Sequence, residues 1–232
     1  MNNSLSYFIR PKIYLLAIFL LALNHPGMAQ VDKTKKIFHL AVKSVRFSGD
    51  VASKEAFLFK PSIEVGFGIQ LPINKHLSFN PEINLAQRGH HGKMSFSDST
   101  YSERTITLNY LDLNPNFELT LGRVSEFSSN FSIWGGPYFG IGLWDNTFVE
   151  NRIINPAKPN SYITVSNSSE SFSSDFRRID AGIKFGIGIV SKRFVAAGFT
   201  YQAGLANITA SPIKTYNQSL GFYFRVFFDD MF

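Results

Sequence analysis

At 232 residues the chain is long enough for one domain with a sizeable core, and its lack of cysteine excludes a disulfide framework and a thiolate metal site. Its 23 lysines and arginines against 17 aspartates and glutamates give a net charge of +6, but no basic run concentrates them, which argues against nucleic acid as a partner. Only 17% of residues are charged while 24 are phenylalanine, a poor balance for a surface lying wholly in water.

The chain opens with Arg10 and Lys12, an apolar run over residues 13–23, and Gly27-Met28-Ala29. A basic start, a short apolar stretch and small residues at −3 and −1 predict a secretory signal peptide over residues 1–29, because a retained spanning anchor needs about 20 apolar residues. Residues 30–36 read as a periplasmic lead-in and residues 37–232 as one domain. Cleavage would leave a charge of +4.

The first apolar stretch, residues 37–47, has a blurred parity. Residues 60–73 alternate, with Ile63, Val65, Phe67, Ile69 and Leu71 opposite Ser62, Glu64, Gly66, Gly68 and Gln70. A hairpin loop at Asn74-Lys75-His76 leads to a third strand, with Leu77, Phe79, Pro81, Ile83 and Leu85 opposite Asn80, Glu82, Asn84, Ala86 and Arg88. Residues 89–104 read as a polar loop. The fourth strand covers residues 105–121, and its apolar phase slips at Tyr110-Leu111, which predicts a bulge there.

Residues 131–148 form the fifth strand, with Ile133, Phe139, Ile141 and Leu143 opposite Trp134, Gly136, Tyr138, Gly140 and Gly142. A long Ser/Asn-rich gap covers residues 149–175. The sixth strand, residues 178–189, has Ile179, Ala181, Ile183, Phe185, Ile187 and Ile189 on one face and Arg178, Asp180, Gly182, Lys184, Gly186 and Gly188 on the other. A turn at Ser191-Lys192-Arg193 leads to the seventh strand, residues 195–205. The last, residues 215–228, puts Leu220, Phe222, Phe224, Val226 and Phe228 opposite Arg225.

This pattern predicts an all-β fold, a single antiparallel up-and-down transmembrane barrel of about eight strands. Long and short connections alternate, which puts all the long loops at one end. The glycines orient the faces. They lie mostly on the polar side, where they would give a soluble lipocalin-like carrier a bare exterior but give a small closed barrel room for large lumen side chains. With the apolar face toward lipid, the lumen holds Glu64, Glu82, Asp112, Glu118 and Asp180 against Arg88, Arg178, Lys184 and Arg225. Near-balance of sign predicts a salt-bridged plug, since buried charges persist only when paired. A selectivity-setting or proton-coupled lumen is the alternative use of the same residues.

Four motifs carry a resemblance. They are Tyr110-Leu111-Asp112-Leu113-Asn114-Pro115, Gly135-Gly136-Pro137-Tyr138-Phe139-Gly140, Asp180-Ala181-Gly182 with Gly186, and Tyr201 with Gly204-Leu205-Ala206-Asn207-Ile208. With them the chain resembles the Bacteroidetes outer-membrane β-barrel family that includes the PorT-like proteins, and eight-stranded barrels of the OmpX and OmpA kind. The resemblance covers nearly all of the mature chain. It implies insertion into outer-membrane lipid and a terminal strand read by the barrel-assembly machinery, with Phe228 or Phe232 as its aromatic end. PorT proper is linked to protein secretion.

His90-His91 reads as solvated loop residues, since neighbours in a strand point to opposite faces and chelate poorly. With Ser95, Asp98 and Ser99 they form no recognisable triad. Trp134 and Trp144 share a parity, about 25 Å apart along the barrel axis, and read as lumen packing near its two ends. The segment 149–175 exceeds a simple connection and is the expected binding surface, for an envelope or extracellular partner. The expected protein is an outer-membrane barrel with a plugged lumen, with no catalytic, cofactor or metal residue, acting through its loops or within an envelope assembly. A periplasmic carrier, a small pore and a barrel enzyme are the alternatives.

Overall fold

The computed structural model describes residues 34–50, 56–96, 100–121, 129–155, 157–158, 161–169, 172, 175–191, 194–210 and 212–228. The expected signal peptide, residue Phe232 and the pair Asp98-Ser99 lie outside them. Among the described residues there are ten strands and no helix: β1 (Lys35–Gly49), β2 (Ala56–Phe57), β3 (Pro61–Pro72), β4 (Leu77–Ser95), β5 (Tyr101–Leu121), β6 (Ser129–Ile154), β7 (Tyr162–Ser169), β8 (Ile179–Ser191), β9 (Val195–Gly204) and β10 (Thr215–Phe228).

Eight of these close a ring. The antiparallel order β1-β3-β4-β5-β6-β8-β9-β10 returns to β1, where Lys36 faces Phe228 and Gly49 faces Thr215. Closure leaves no wall strand with an open edge, the condition for a sheet immersed in hydrocarbon. The two additional strands lie off the ring at its long-loop end, β2 against β4 and β7 against β6.

Alternation sends the apolar face outward. Phe67 is 66% and Ile179 70% exposed, whereas the polar and glycine-bearing face packs the interior. Large lumen side chains need that space: a Cβ added to Gly186 would stand 2.4 Å from the Trp134 ring. The turn between β3 and β4 falls at the predicted place, where Asn74 Oδ1 accepts from the His76 and Leu77 amides at 2.9 Å each.

Several expectations need correction. β1 begins at Lys35, and its parity is regular, with Ile37, His39, Ala41, Lys43, Val45 and Phe47 all buried inside. It looked blurred because its lumen face mixes charge with hydrocarbon. β5 has no phase slip, since Ile106, Leu108, Tyr110, Asp112 and Asn114 all point inward. The extra residue lies in β6 instead, where Tyr110 faces Gly142 and Asn109 faces Trp144, leaving Leu143 between the rungs. That bulge reverses the parity of β6, so Trp144 is 54% exposed on the outside rather than packed in the lumen.

The polar loop at 89–104 is mostly strand, because the β4 and β5 ladder runs on to Ser95 and Tyr101. Gly89, between the inward Arg88 and His90, has φ 132° and a backbone that no side chain fits, its Cβ position lying 1.9 Å from the Ile106 carbonyl oxygen.

Gly186→Ala is expected to displace the indole and destabilise the barrel by about 1–3 kcal/mol. A lowered urea midpoint in lipid bilayers, read by loss of the heat-modifiable gel band, is the check.

Candidate functional site

The lumen is filled in layers. At the short-turn end Ile37, Ala41, Trp134, Val190, Ala196, Tyr223 and Phe227 form one apolar cluster. At the long-loop end Phe47, Ile106, Leu108, Tyr110, Phe172, Phe176 and Ile208 form another. Phe172 and Phe176 come from the segment between β7 and β8, and Ile208 from the connection between β9 and β10. Backbone bonds pin these together, Arg177 donating to the Ile208 carbonyl at 2.6 Å and Ala210 to the Asp175 carbonyl at 2.9 Å.

Between the two clusters lie three groups of charge. Nearest the loops, Arg88 donates to Asp180 at 2.9 Å and to Asp112, with its guanidinium 4.6 Å from the ring centres of both Tyr110 and Tyr138. Asp180 also accepts from Asn217 at 2.8 Å. In the middle, Glu64 accepts from Lys43 at 2.5 Å, from Asn84 at 2.7 Å and from Lys184. Below it Arg225 lies 2.6 Å from Glu82 and 3.7 Å from Glu118, over the Trp134 ring at 3.9 Å. Glu118 accepts from Asn80 at 2.6 Å and Ser132 at 2.8 Å. His39 joins the last two groups: Nδ1 lies 3.1 Å from Arg225 Nε and 3.3 Å from Glu82, and Nε2 lies 3.4 Å from Glu64.

Of the nine residues expected in the network, Glu64, Glu82, Arg88, Asp112, Glu118, Asp180, Lys184 and Arg225 are buried there. Arg178 is not. It precedes the first rung of β8, so alternation no longer fixes its side, and it donates to the Gly142 and Leu143 carbonyls at 3.1 and 3.2 Å across the β6 bulge. His39 and Lys43 are network members that the sequence reading missed, although their shared parity was the available signal. His90 points into the upper cap, stacked on Phe47 with ring centres 5.4 Å apart, while His91 lies on the other face beside Glu103 at 2.7 Å. The two histidines are thus strand residues, not loop residues.

The outward face turns from apolar to polar at Ser44, Gln87, Asn109 and Gln218. In β5 the apolar stretch below that line, Leu111 to Leu121, rises about 25 Å for a strand tilted by about 40°. Above it β4, β5, β6 and β7 continue as a sheet, a blade that replaces most of the expected 149–175 loop. Its outer face is tied by Lys93 over Tyr101 at 4.0 Å and Arg152 over Tyr162 at 4.2 Å.

Neutralising Glu64 strands two buried lysines. Glu64→Gln is therefore expected to cost about 3–5 kcal/mol in bilayer unfolding, whereas the joint replacement Lys43→Met, Glu64→Leu, Lys184→Met recovers most of the loss.

No curated protein sequence is significantly similar to the chain. Among solved structures it is similar to Neisserial surface protein A, at 11% identity and TM-score 0.40 over 84% of this chain and 99% of that one. It is similar to the attachment invasion locus protein Ail of Yersinia pestis, at 11% identity and TM-score 0.39 with the same coverage. The N-terminal β-barrel domain of Pseudomonas aeruginosa OprF gives 12% identity and TM-score 0.30, over 84% of this chain and 99% of that one. Residues 30–210 match the family described as outer membrane protein beta-barrel domain. The chain belongs to that family, and its eight-stranded barrel is embedded in outer-membrane lipid.

Proposed function

We propose that the protein is a closed barrel that acts through its blade, as a binding or structural component of the cell envelope and not as an enzyme. One observation carries this reading: the lumen is occupied from cap to cap by side chains, while β4 to β7 rise beyond the apolar band. A ring of eight strands has an interior only wide enough for side chains, and here that space holds a bonded ionic network. The surface free to meet a partner is the blade. Insertion by the barrel-assembly machinery and a place among the PorT-like barrels of Bacteroidetes belong to the same reading, on the sequence motifs already quoted.

Two measurements test it. In planar bilayers the refolded protein is expected to give only background current; a discrete, ion-selective conductance would replace the closed barrel with a pore. Trimming residues 150–168 spares Phe172 and Phe176, so the shortened protein should keep its heat-modifiable band while losing its cross-linked envelope partners in cells. An adduct pattern identical to that of the full chain would sink the blade as the acting surface.

A further inference from the structure

We propose that water replaces a missing rung in the barrel wall between β5 and β6, held by Asn114 and Asn116 near the middle of the apolar band. The site lies in the wall itself and is independent of what the blade binds. Three prolines stand in a row across neighbouring strands with their rings turned outward. Pro81 faces Pro115 in the ladder of β4 and β5, and Pro137 follows on β6. Between β5 and β6 the ladder pairs Leu113 with Phe139 and Phe117 with Gly135 and passes over the residues between them. The unbroken count sets Pro115 opposite Pro137, Asn116 opposite Gly136 and Asn114 opposite Tyr138.

Backbone direction decides what this arrangement leaves unbonded. The Thr120 amide donates to the His76 carbonyl at 2.7 Å, on the β4 side, and the Gly142 amide to the Arg178 carbonyl at 2.6 Å, on the β8 side. Backbone groups alternate sides along a strand, and Pro115 and Pro137 each lie an odd number of residues away, so they direct theirs toward each other. An ordinary pair in that position exchanges two N–H to O=C bonds. Two prolines exchange none. The bonded rungs on either side are four residues apart, about 13 Å along the strand instead of about 7 Å. Two carbonyls thus face no amide inside a hydrocarbon band, where no bulk solvent is at hand to satisfy them.

A second observation comes from the lumen side. Asn114 and Asn116 flank Pro115 and point inward, and each is fully buried with both its amide oxygen and its amide nitrogen lacking a hydrogen-bond partner among the described residues. Native interiors satisfy such groups with ordered water. Asn80, directly opposite Asn116 on β4, adds another unpaired amide oxygen at the same level. At Gly136 no side chain intervenes: the Pro115 carbonyl oxygen comes within 2.3 Å of where a Cβ would stand, so it is reached from the lumen. The outward proline rings close the same gap to lipid. Water both donates and accepts, so it meets the amide nitrogens, the amide oxygens and the carbonyls together, whereas a bare cation would meet only the oxygens.

The test uses the full mature chain, isotope-labelled and held in lipid bilayers, with bulk water as the probe. Water-edited solid-state NMR is expected to carry magnetisation to the Asn114 and Asn116 side-chain amides as readily as to Asn109 on the polar rim, and faster than to the Leu113 backbone amide. Joint replacement Pro115→Val, Pro137→Val restores both bonds. It should lose most of that transfer, while the two new amides resist hydrogen exchange and the heat-modifiable gel band remains. Should the pair give no such band, Pro137→Val alone restores one donor and carries the same comparison. Asn116→Leu should lower the urea midpoint, because a water site gives up its bonds; in a dry wall, deleting an unpartnered amide would raise it.

Transfer to both asparagines as slow as to Leu113, transfer unchanged by the proline replacements, or a midpoint raised by Asn116→Leu would overturn the proposal. So would a midpoint that shifts when sodium is exchanged for choline at constant ionic strength, which would assign the oxygens to a cation.

Discussion

Glu64 stands on β3, and the lysines that hold it reach in from β1 beside it and from β8 across the ring. A single carboxylate therefore ties opposite walls. An ion in that setting has lost its water, and only several simultaneous partners offset the loss. The same demand propagates through the lumen. Arg88 joins β4 to β5 and β8, and Arg225 joins β10 to β4 and β5. Backbone pairing closes the ring, and these cross-lumen ties fix how far apart its walls lie.

Because a strand has two faces, one decision about which faces lipid settles the rest. Hydrocarbon outside forces charge, amide and glycine inside, and the interior must then be filled without leaving ions unpartnered. The chain meets this by stratification, with hydrocarbon at each mouth and ions between. The upper layer uses rings borrowed from the connections, Phe172 and Phe176, so the long loops are partly spent on closing the barrel. Only what rises above that cap remains available to the outside.

The ring was readable wherever one parity was purely apolar, as in β3, β8 and β10, because period-two alternation has no competing explanation there. It became obscure where the lumen itself turns apolar. Ile106 and Leu108 looked like lipid-facing residues out of phase, and a bulge was inferred in β5, but they belong to the cap and the bulge is at Leu143. Lys43 and His39 were hidden in β1 for the same reason. Arg178 failed in the opposite way, since parity was extended one residue beyond the last paired rung. The blade was invisible because Ser, Asn and Thr in solvent-exposed strands carry the composition of a loop, and only the partner ladder distinguishes them.

β6 is one uninterrupted element from Ser129 to Ile154, belonging to the barrel wall below and to the blade above. Its lower part is flanked by β5 and β8 and its upper part by β5 and β7. A pull on the hairpin tip therefore runs along the strand axis and loads its many cross-strand bonds together, in shear, instead of peeling them one at a time. A load applied at the tip would thus pass along the wall strand into the part of the barrel held by lipid.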